Sequence, residues 1–217
     1  MNICLVENCN KEQFCKGYCN RHYQQFHKYG KIMSSGERTK FDPNEIIIET
    51  DICRMKLYNI KNKEIAETIF YLKYKSEIEQ FKWRLNNYGY VQCSWYDENN
   101  QRHEMQLHQY IVYLSGQTVE NKQEIDHKDN NKLNNLDDNL RICSHIQNNQ
   151  NKLKPINNTS GDKGVSWHIP AKKWSANIMN NGEYEHLGLF IDKEDAAKAY
   201  NEAALIYHGE FAVLNNI

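Results

Sequence analysis

The sequence has no long apolar run: nowhere do its 217 residues approach the roughly 18 to 20 consecutive apolar side chains that cross a bilayer. Its opening, MNICLVENCNKEQFCKG, lacks a basic leader followed by an apolar stretch, so no secretory signal is visible. A large charge of one sign is missing too. The net of -1 excludes a uniformly basic coat of the kind that binds polyanions without regard to sequence. Cysteine is present in an odd number, seven, and without an export signal that argues against a disulfide scaffold. Reduced thiols, some of them metal-bound, fit better.

What is present suffices for folded cores. Hydrophobic residues make up 40% of the chain, with 14 Tyr and 4 Trp, despite a mean hydropathy of -0.86. This length holds one ordinary domain or two to three small modules. The near-zero charge also hides a pattern: the net is +4 over residues 1–40, -3 over 41–125, +1 over 126–155 and -3 over 156–217. The abundance of Asn, Lys, Ile and Tyr equally fits coding in an AT-rich genome, which weakens any reading of a single Asn.

Three modules follow from the punctuation. In residues 1–40, Cys4, Cys9, Cys19 and His22 stand in the spacing C-x4-C-x9-C-x2-H. Three thiolates and an imidazole make a closed tetrahedral Zn²⁺ site, and in a segment with almost no core the metal would supply much of the folding free energy. Cys15 is a spare that can stand in for Cys9 or Cys19. GYCNRHYQQFHKYG resembles a small zinc-binding element found at the front of some phage nucleases; Arg21, Lys28 and Lys31 would lie on its helix. SSGERTKFDPNE reads as a linker into a second module, 41–155. There EIIIETDICRMKLYN has strand composition, KEIAETIFYLKYKSEIEQFKWRL fits strand and helix periods alike, and NNYGYVQCSWYDENNQRHEMQLHQYIVYL reads as strand, turn and strand. Trp83 and Tyr90 are expected in a core, and His108 as a packed histidine. Pro155 closes the module, and the breaker-rich PINNTSGDKG leads into a third, 156–217.

The chemistry lies in IDHKDNNKLNNLDDNLRICSHIQNN, residues 125–149, which has little to bury and many groups that can ligate or hydrogen-bond. Ile125 would end a strand that delivers Asp126 and His127 to the start of an Asn-rich loop. NLRIC is a second short strand. Ser144 then caps a helix, with Gln147 placed for a capping box and Asn148 in the first turn, where its side chain can face Asp126. A carboxylate and a carboxamide oxygen suit Mg²⁺ or Mn²⁺, and a histidine beside such an ion can take a proton from water at neutral pH. The stretch resembles the His-Asn-His (HNH) motif of phage and intron-encoded homing endonucleases, whose fold is called ββα-metal. Asp126, His127, Asn139, Leu140, Arg141 and Asn148 fall at that family's spacing, while Asn replaces His at the last position and DNN replaces the frequent Asp-Gly-Asn. The resemblance implies that Asp126 and Asn148 bind the metal, that His127 activates water, and that Asn139 holds the loop. It also makes Arg141 a DNA contact. FKWRLNNYGYV and LHQYIV extend it over about residues 44–154.

In the third module KGVSWHI and KWSANIM alternate, with Val165, Trp167, Trp174, Ala176 and Ile178 on one face. Asn181-Gly182 marks a hairpin, YEHLGLF a third strand, and DKEDAAKAYNEAALIYHG a helix that starts after Asp192 and stops at Gly209. The module resembles the Apetala-two/ethylene-response-factor (AP-two/ERF) DNA-binding domain, which lays a three-stranded sheet in the major groove. The resemblance puts Lys163, Ser166, His168, Asn177, Met179, Tyr184 and His186 at contact positions, with Lys172 and Lys173 beside them and none of the arginines of the plant members. The expected class is therefore α+β and modular. It comprises a zinc-binding element, a ββα-metal domain preceded by a β-rich segment, and an antiparallel three-stranded sheet packed on one helix. The expected function is a site-selective, metal-dependent DNA endonuclease of the homing type that nicks double-stranded DNA. It would be non-secreted, in a cytoplasm, nucleoid or other DNA-containing compartment, with no membrane and no obligate protein partner. The alternatives are a DNA-binding transcriptional regulator with an inactive nuclease domain, and an RNA-directed nuclease.

Overall fold

The structure, a computed structural model, describes residues 2–6, 9–32 and 42–217. The boundary expected at residue 40 and most of the linker SSGERTKFDPNE lie outside the described residues. By its contacts the chain forms two compact units, Met1–Gln106 and Leu107–Ile217. Both mix helices with small antiparallel sheets, the α+β class.

The first unit begins with two isolated bridges, Ile3 with Glu12 and Cys15 with Tyr18, followed by α1, Asn20–Tyr29. Gly30 stops that helix in the left-handed region (φ 68°), its N–H donating to the Phe26 carbonyl. Strands β1 (Ile46–Glu49), β2 (Ile52–Tyr58) and β3 (Glu64–Tyr71) form one antiparallel sheet. Alternate residues of β2, Cys53, Met55 and Leu57, point inward and are buried. The segment that fits two periods is divided between them. Its first part is β3; the rest makes a 3-10 turn, Leu72–Tyr74, the short helix α2, Lys75–Ile78, and β4, Arg84–Leu85. Strands β5 (Val91–Tyr96) and β6 (Arg102–Gln106) complete a second antiparallel sheet with β4. Trp83 is fully buried, and its indole N–H donates to the Ile78 carbonyl at 2.8 Å. The Asn44 carboxamide accepts from the Trp83 N–H at 2.8 Å and donates to the Trp83 and Lys56 carbonyls. One buried side chain thus satisfies the backbone where the two sheets meet.

The segment read as the far strand of a hairpin is divided: Arg102–Gln106 is β6, paired with β5 as expected, and the rest, which opens the second unit, is helical. α3 spans Leu107–Leu114 and buries Leu107, His108, Ile111 and Val112. Strand propensity in QYIVYL is high, but burial at i, i+1, i+4 and i+5 follows a helical face, so tertiary packing overrides the local preference. Strands β7 (Gln123–His127) and β8 (Leu140–Ser144) pair antiparallel and lead into α4, His145–Asn151. Next comes a sheet of β9 (Val165–His168), β10 (Lys173–Asn180) and β11 (Glu183–Phe190), with β10 central. Asn181 and Gly182 both take positive φ (48° and 90°), the backbone of a tight hairpin turn. Helix α5, Lys193–His208, lies on this sheet through Ala196, Ala197, Tyr200, Ala203 and Ala204, packed on Val165, Ala176 and Ile178. The approach is so close that a Cβ on Gly164 would sit 2.1 Å from the Tyr200 ring. Trp174 joins this core, whereas Trp167, expected beside it, is 48% exposed and meets Trp174 edge to face at the sheet's margin. Among the described residues no helix is long and apolar enough to cross a membrane.

Candidate active site

The β7–β8 hairpin sets Asp126 opposite Arg141 and His127 opposite Leu140. Its connecting loop is held by side-chain amides rather than by an apolar core. Asn139 donates to the Asp129 carboxylate at 2.9 Å and to the Asn134 carbonyl at 2.8 Å, and accepts from the Asp129 N–H at 3.2 Å. Asp129 also accepts from the Asn131 N–H and the Asn134 carboxamide. Burial alone would raise the pKa of Asp129, but the donors from Asn134, Asn131 and Asn139 outweigh it, and the group ionises below its ordinary value. Asn130, the middle residue of DNN, adopts φ 61°, a region Asn reaches with little penalty.

Asp126 and His127 are both buried at the end of β7. One Asp126 oxygen accepts from Arg141 Nε at 2.9 Å, and Nη2 forms an ion pair with it at 2.8 Å. Both oxygens accept from the Asn151 carboxamide at 3.0 Å, and the same nitrogen reaches the His127 carbonyl. Helix α4 starts with the expected capping box, in which Ser144 accepts from the Gln147 N–H and the Gln147 side chain from the Ser144 N–H. The box fixes the helix phase, and that phase departs from the sequence reading. Asn148 turns its carboxamide to Glu124, not to Asp126. Because Glu124 and Asp126 are two apart on a strand and Asn148 and Asn151 three apart on a helix, carboxylates and amides meet as two rungs. In the sequence the one signal for Asn151 is its i, i+3 relation to Asn148. His145 donates to the Glu124 carboxylate as well, and the bonds from Asn148 and His145 draw Glu124 below the usual carboxylate range.

The His127 ring contacts Asn135 through Nε2 at 3.4 Å and meets the His108 ring edge to face at 5.1 Å. Burial holds the His127 pKa below its ordinary value, so the imidazole is neutral near pH 7, the form that can accept a proton. Burial, with the neighbouring His127, pushes His108 down to about 3. Oxygen donors from Asp126 and the amides of α4 suit a hard divalent cation. The Asn151 amide has oxygen and nitrogen at interchangeable ends, so a half-turn about its last bond offers Oδ1 where Nδ2 now donates. A carboxylate beside a carboxamide is thus a donor set of the kind Mg²⁺ or Mn²⁺ takes.

The residues expected to contact DNA from the C-terminal sheet divide into two groups. Ser166, His168, Lys172, Lys173, Met179, Tyr184 and His186 are exposed. Asn177 is half-buried and joins Ser175 and His186 in a small network, accepting from His186 Nδ1 at 2.9 Å. Lys163 points elsewhere: its ammonium donates to the Gln150 and Lys152 carbonyls at 2.6 Å, at the C-terminal end of α4. Burial pulls its pKa down to about 8. Arg141, also expected on DNA, is held inside the unit by Asp126 and by the Glu210 carbonyl.

At the N-terminus the ligand atoms of Cys4, Cys9, Cys19 and His22 lie within 4.8 Å of one another, and none of these cysteines is in a disulfide. Sγ of Cys9 and Cys19 are 3.9 Å apart, and His22 Nδ1 lies 3.2 Å from Cys4 Sγ and 3.5 Å from Cys19 Sγ. A tetrahedral Zn²⁺ with ordinary bond lengths requires about 3.8 Å between sulfurs and about 3.6 Å between sulfur and nitrogen. The cluster could thus hold a metal such as zinc. Burial opposes ionisation of Cys4, but bonds from the Cys19 backbone and His22 bring its thiol down to about 6. Burial pushes Cys19 up, and the neighbouring Cys4 and Cys9 add to it. Crowded thiols of this kind are what a bound cation would relieve. Cys15 stands outside the group.

A carboxylate–histidine pair on one strand, an Asn-stitched loop, a second strand and a capped helix define a class, and the chain belongs to the HNH endonuclease family. It is 35% identical over 144 residues to an uncharacterized HNH endonuclease of Acanthamoeba polyphaga mimivirus, covering 64% of this chain and 70% of that one. Protein 3.8 of Escherichia phage T7 is 35% identical over 88 residues, 41% of this chain and 72% of its own. No family model matches the chain.

Proposed function

We propose that the chain is a divalent-cation-dependent DNA endonuclease of the homing type that nicks double-stranded DNA. The observation that carries this is the meeting of a buried, neutral His127 with a buried Asp126 beside the oxygen-bearing amides of α4. His127 takes a proton from a water whose oxygen attacks the phosphorus; the P–O3′ bond breaks, giving 5′-phosphate and 3′-hydroxyl ends, and O3′ takes its proton from solvent. Asp126 with a carboxamide of α4, Asn148 or Asn151, would hold Mg²⁺ or Mn²⁺, which when bound neutralises charge on the phosphodiester. Asn139 fixes the loop and, through it, the start of His127. The three-module division, 1–40, 41–155 and 156–217, belongs to the same proposal: zinc orders the first module through Cys4, Cys9, Cys19 and His22. The third reads DNA in the manner of an AP-two/ERF sheet through Ser166, His168, Lys172, Lys173, Asn177, Met179, Tyr184 and His186.

The test is incubation with supercoiled plasmid in Mg²⁺, in Mn²⁺ or in EDTA, read as supercoiled, nicked or linear product. Nicking should require the cation, and His127→Ala should lower the rate by a factor on the order of 10²–10⁴ without weakening DNA binding in a gel shift. Undiminished nicking by His127→Ala, or full activity in EDTA, refutes the proposal.

A further inference from the structure

Arg141 touches three things at once. Its Nε and Nη2 hold Asp126; its Nη1 donates to the Glu210 carbonyl at 2.8 Å; its guanidinium carbon lies 3.6 Å from the centre of the Phe211 ring. Glu210 and Phe211 belong to the 3-10 turn Gly209–Phe211 that follows α5 in the C-terminal module. Phe211 is itself buried, so the guanidinium is stacked on a fixed surface. A second tie runs in parallel. Lys163, at the entrance to the C-terminal sheet, caps the end of α4 through the carbonyls that flank Asn151, the other residue holding Asp126. Each side chain that orients the Asp126 carboxylate therefore rests on the C-terminal module.

We propose that Arg141 is a positioning residue through which the seating of Gly209–Phe211 sets the Asp126 carboxylate, so that the C-terminal module is structurally part of the cleavage site. The inference rests on the reading of Asp126 and His127 as that site. Only a planar fork can serve these partners together: a lysine keeps the charge but presents one ammonium, which cannot span Asp126 and Glu210 and stack flat on Phe211. A carboxylate displaced by about 1 Å can lower a rate on the order of 10²-fold without any loss of substrate affinity.

The experiment compares full-length Arg141→Lys, Phe211→Leu, Phe211→Tyr and His127→Ala. Nicking is measured at saturating DNA and Mn²⁺, with a gel-shift titration at several salt concentrations and a thermal melt for each variant. Arg141→Lys should lower the saturated rate about 10- to 100-fold, with DNA affinity and its salt slope within about twofold of wild type. Phe211→Leu keeps apolar bulk but removes the ring face and should move the same rate in the same direction, about 3- to 10-fold. Phe211→Tyr should recover most of that loss. If Arg141→Lys and Phe211→Leu, folded at the assay temperature, nick at the wild-type rate, or lose affinity and salt slope rather than rate, the inference is wrong and Arg141 is a brace or a phosphate contact. If Phe211→Leu does not fold, failure of Phe211→Tyr to show wild-type-like rates relative to Arg141→Lys overturns it equally. Wild-type nicking by His127→Ala would instead remove the site assignment beneath it, a separate outcome.

Discussion

Replacing Asn151 by Ala should damage this protein more than replacing Asn148, although the motif spacing favours Asn148 as the functional amide. The Asn151 carboxamide is buried and serves Asp126 and the His127 carbonyl with one nitrogen. Its loss deprives a buried carboxylate of a charge-assisted bond, worth about 1.5–3 kcal/mol, while the His127 carbonyl still accepts from the Asn130 N–H. Arg141 still holds Asp126, so that loss is not felt in full, and Ala gains up to about 0.7 kcal/mol in helix propensity. The net loss is about 1–2 kcal/mol. For the unit Leu107–Ile217 that is a fall in melting midpoint of about 5 °C. Asn148 is half-buried, and its partner Glu124 keeps the bond from His145, so Asn148→Ala should lose only about 0.5–1 kcal/mol. Thermal melts followed by circular dichroism separate the two, with the nicking rate in rising Mn²⁺ recorded beside them. Equal destabilisation, or a larger effect at Asn148, would refute the two-rung arrangement of β7 and α4.

Protein purified without added metal should carry about one zinc per chain; Cys9→Ser should lose it and Cys15→Ser keep it, and elemental analysis decides both. His108 has a folded-state pKa of about 3 against 6.5 in the unfolded chain, so below 6.5 the unfolded state binds the extra proton. Its contribution is complete above that value and lost as pH falls toward 3, by about 2 kcal/mol between pH 6.5 and 5; urea midpoints at pH 7 and 5 that coincide would contradict this. If the C-terminal sheet lies on DNA, Lys172→Ala with Lys173→Ala should flatten the salt dependence of binding by up to about two powers of salt concentration, and an unchanged slope would take the sheet off the phosphates.

The parts legible in the sequence are those decided within a few residues. The capping box of Ser144 and Gln147, the Asn181-Gly182 turn and the small-residue face of α5 are each set by local stereochemistry. So is the Asn139 lattice, because Asx side chains bond backbone groups close by in the chain. The Cys4–His22 cluster is legible for another reason: ligand type and spacing suffice where there is little core to override them. What the sequence could not resolve is phase and distant partnership. Spacing places Asn148, Asn149 and Asn151 on one short helix, but which of them meets Asp126 depends on how α4 is rotated over β7. Likewise the two family resemblances make DNA contacts of Arg141 in the nuclease motif and of Lys163 on the C-terminal sheet. Arg141 found its carbonyl 69 residues along the chain at Glu210, and Lys163 turned back to α4. The breaker-rich PINNTSGDKG suggests a module that can be removed without touching the chemistry, yet a chain ending at Pro155 would strip Arg141 of Glu210 and Phe211 and α4 of its lysine cap. A linker's composition reports only that no helix or strand runs through it. The coupling of the modules it joins is set by the charges that each buries in the other.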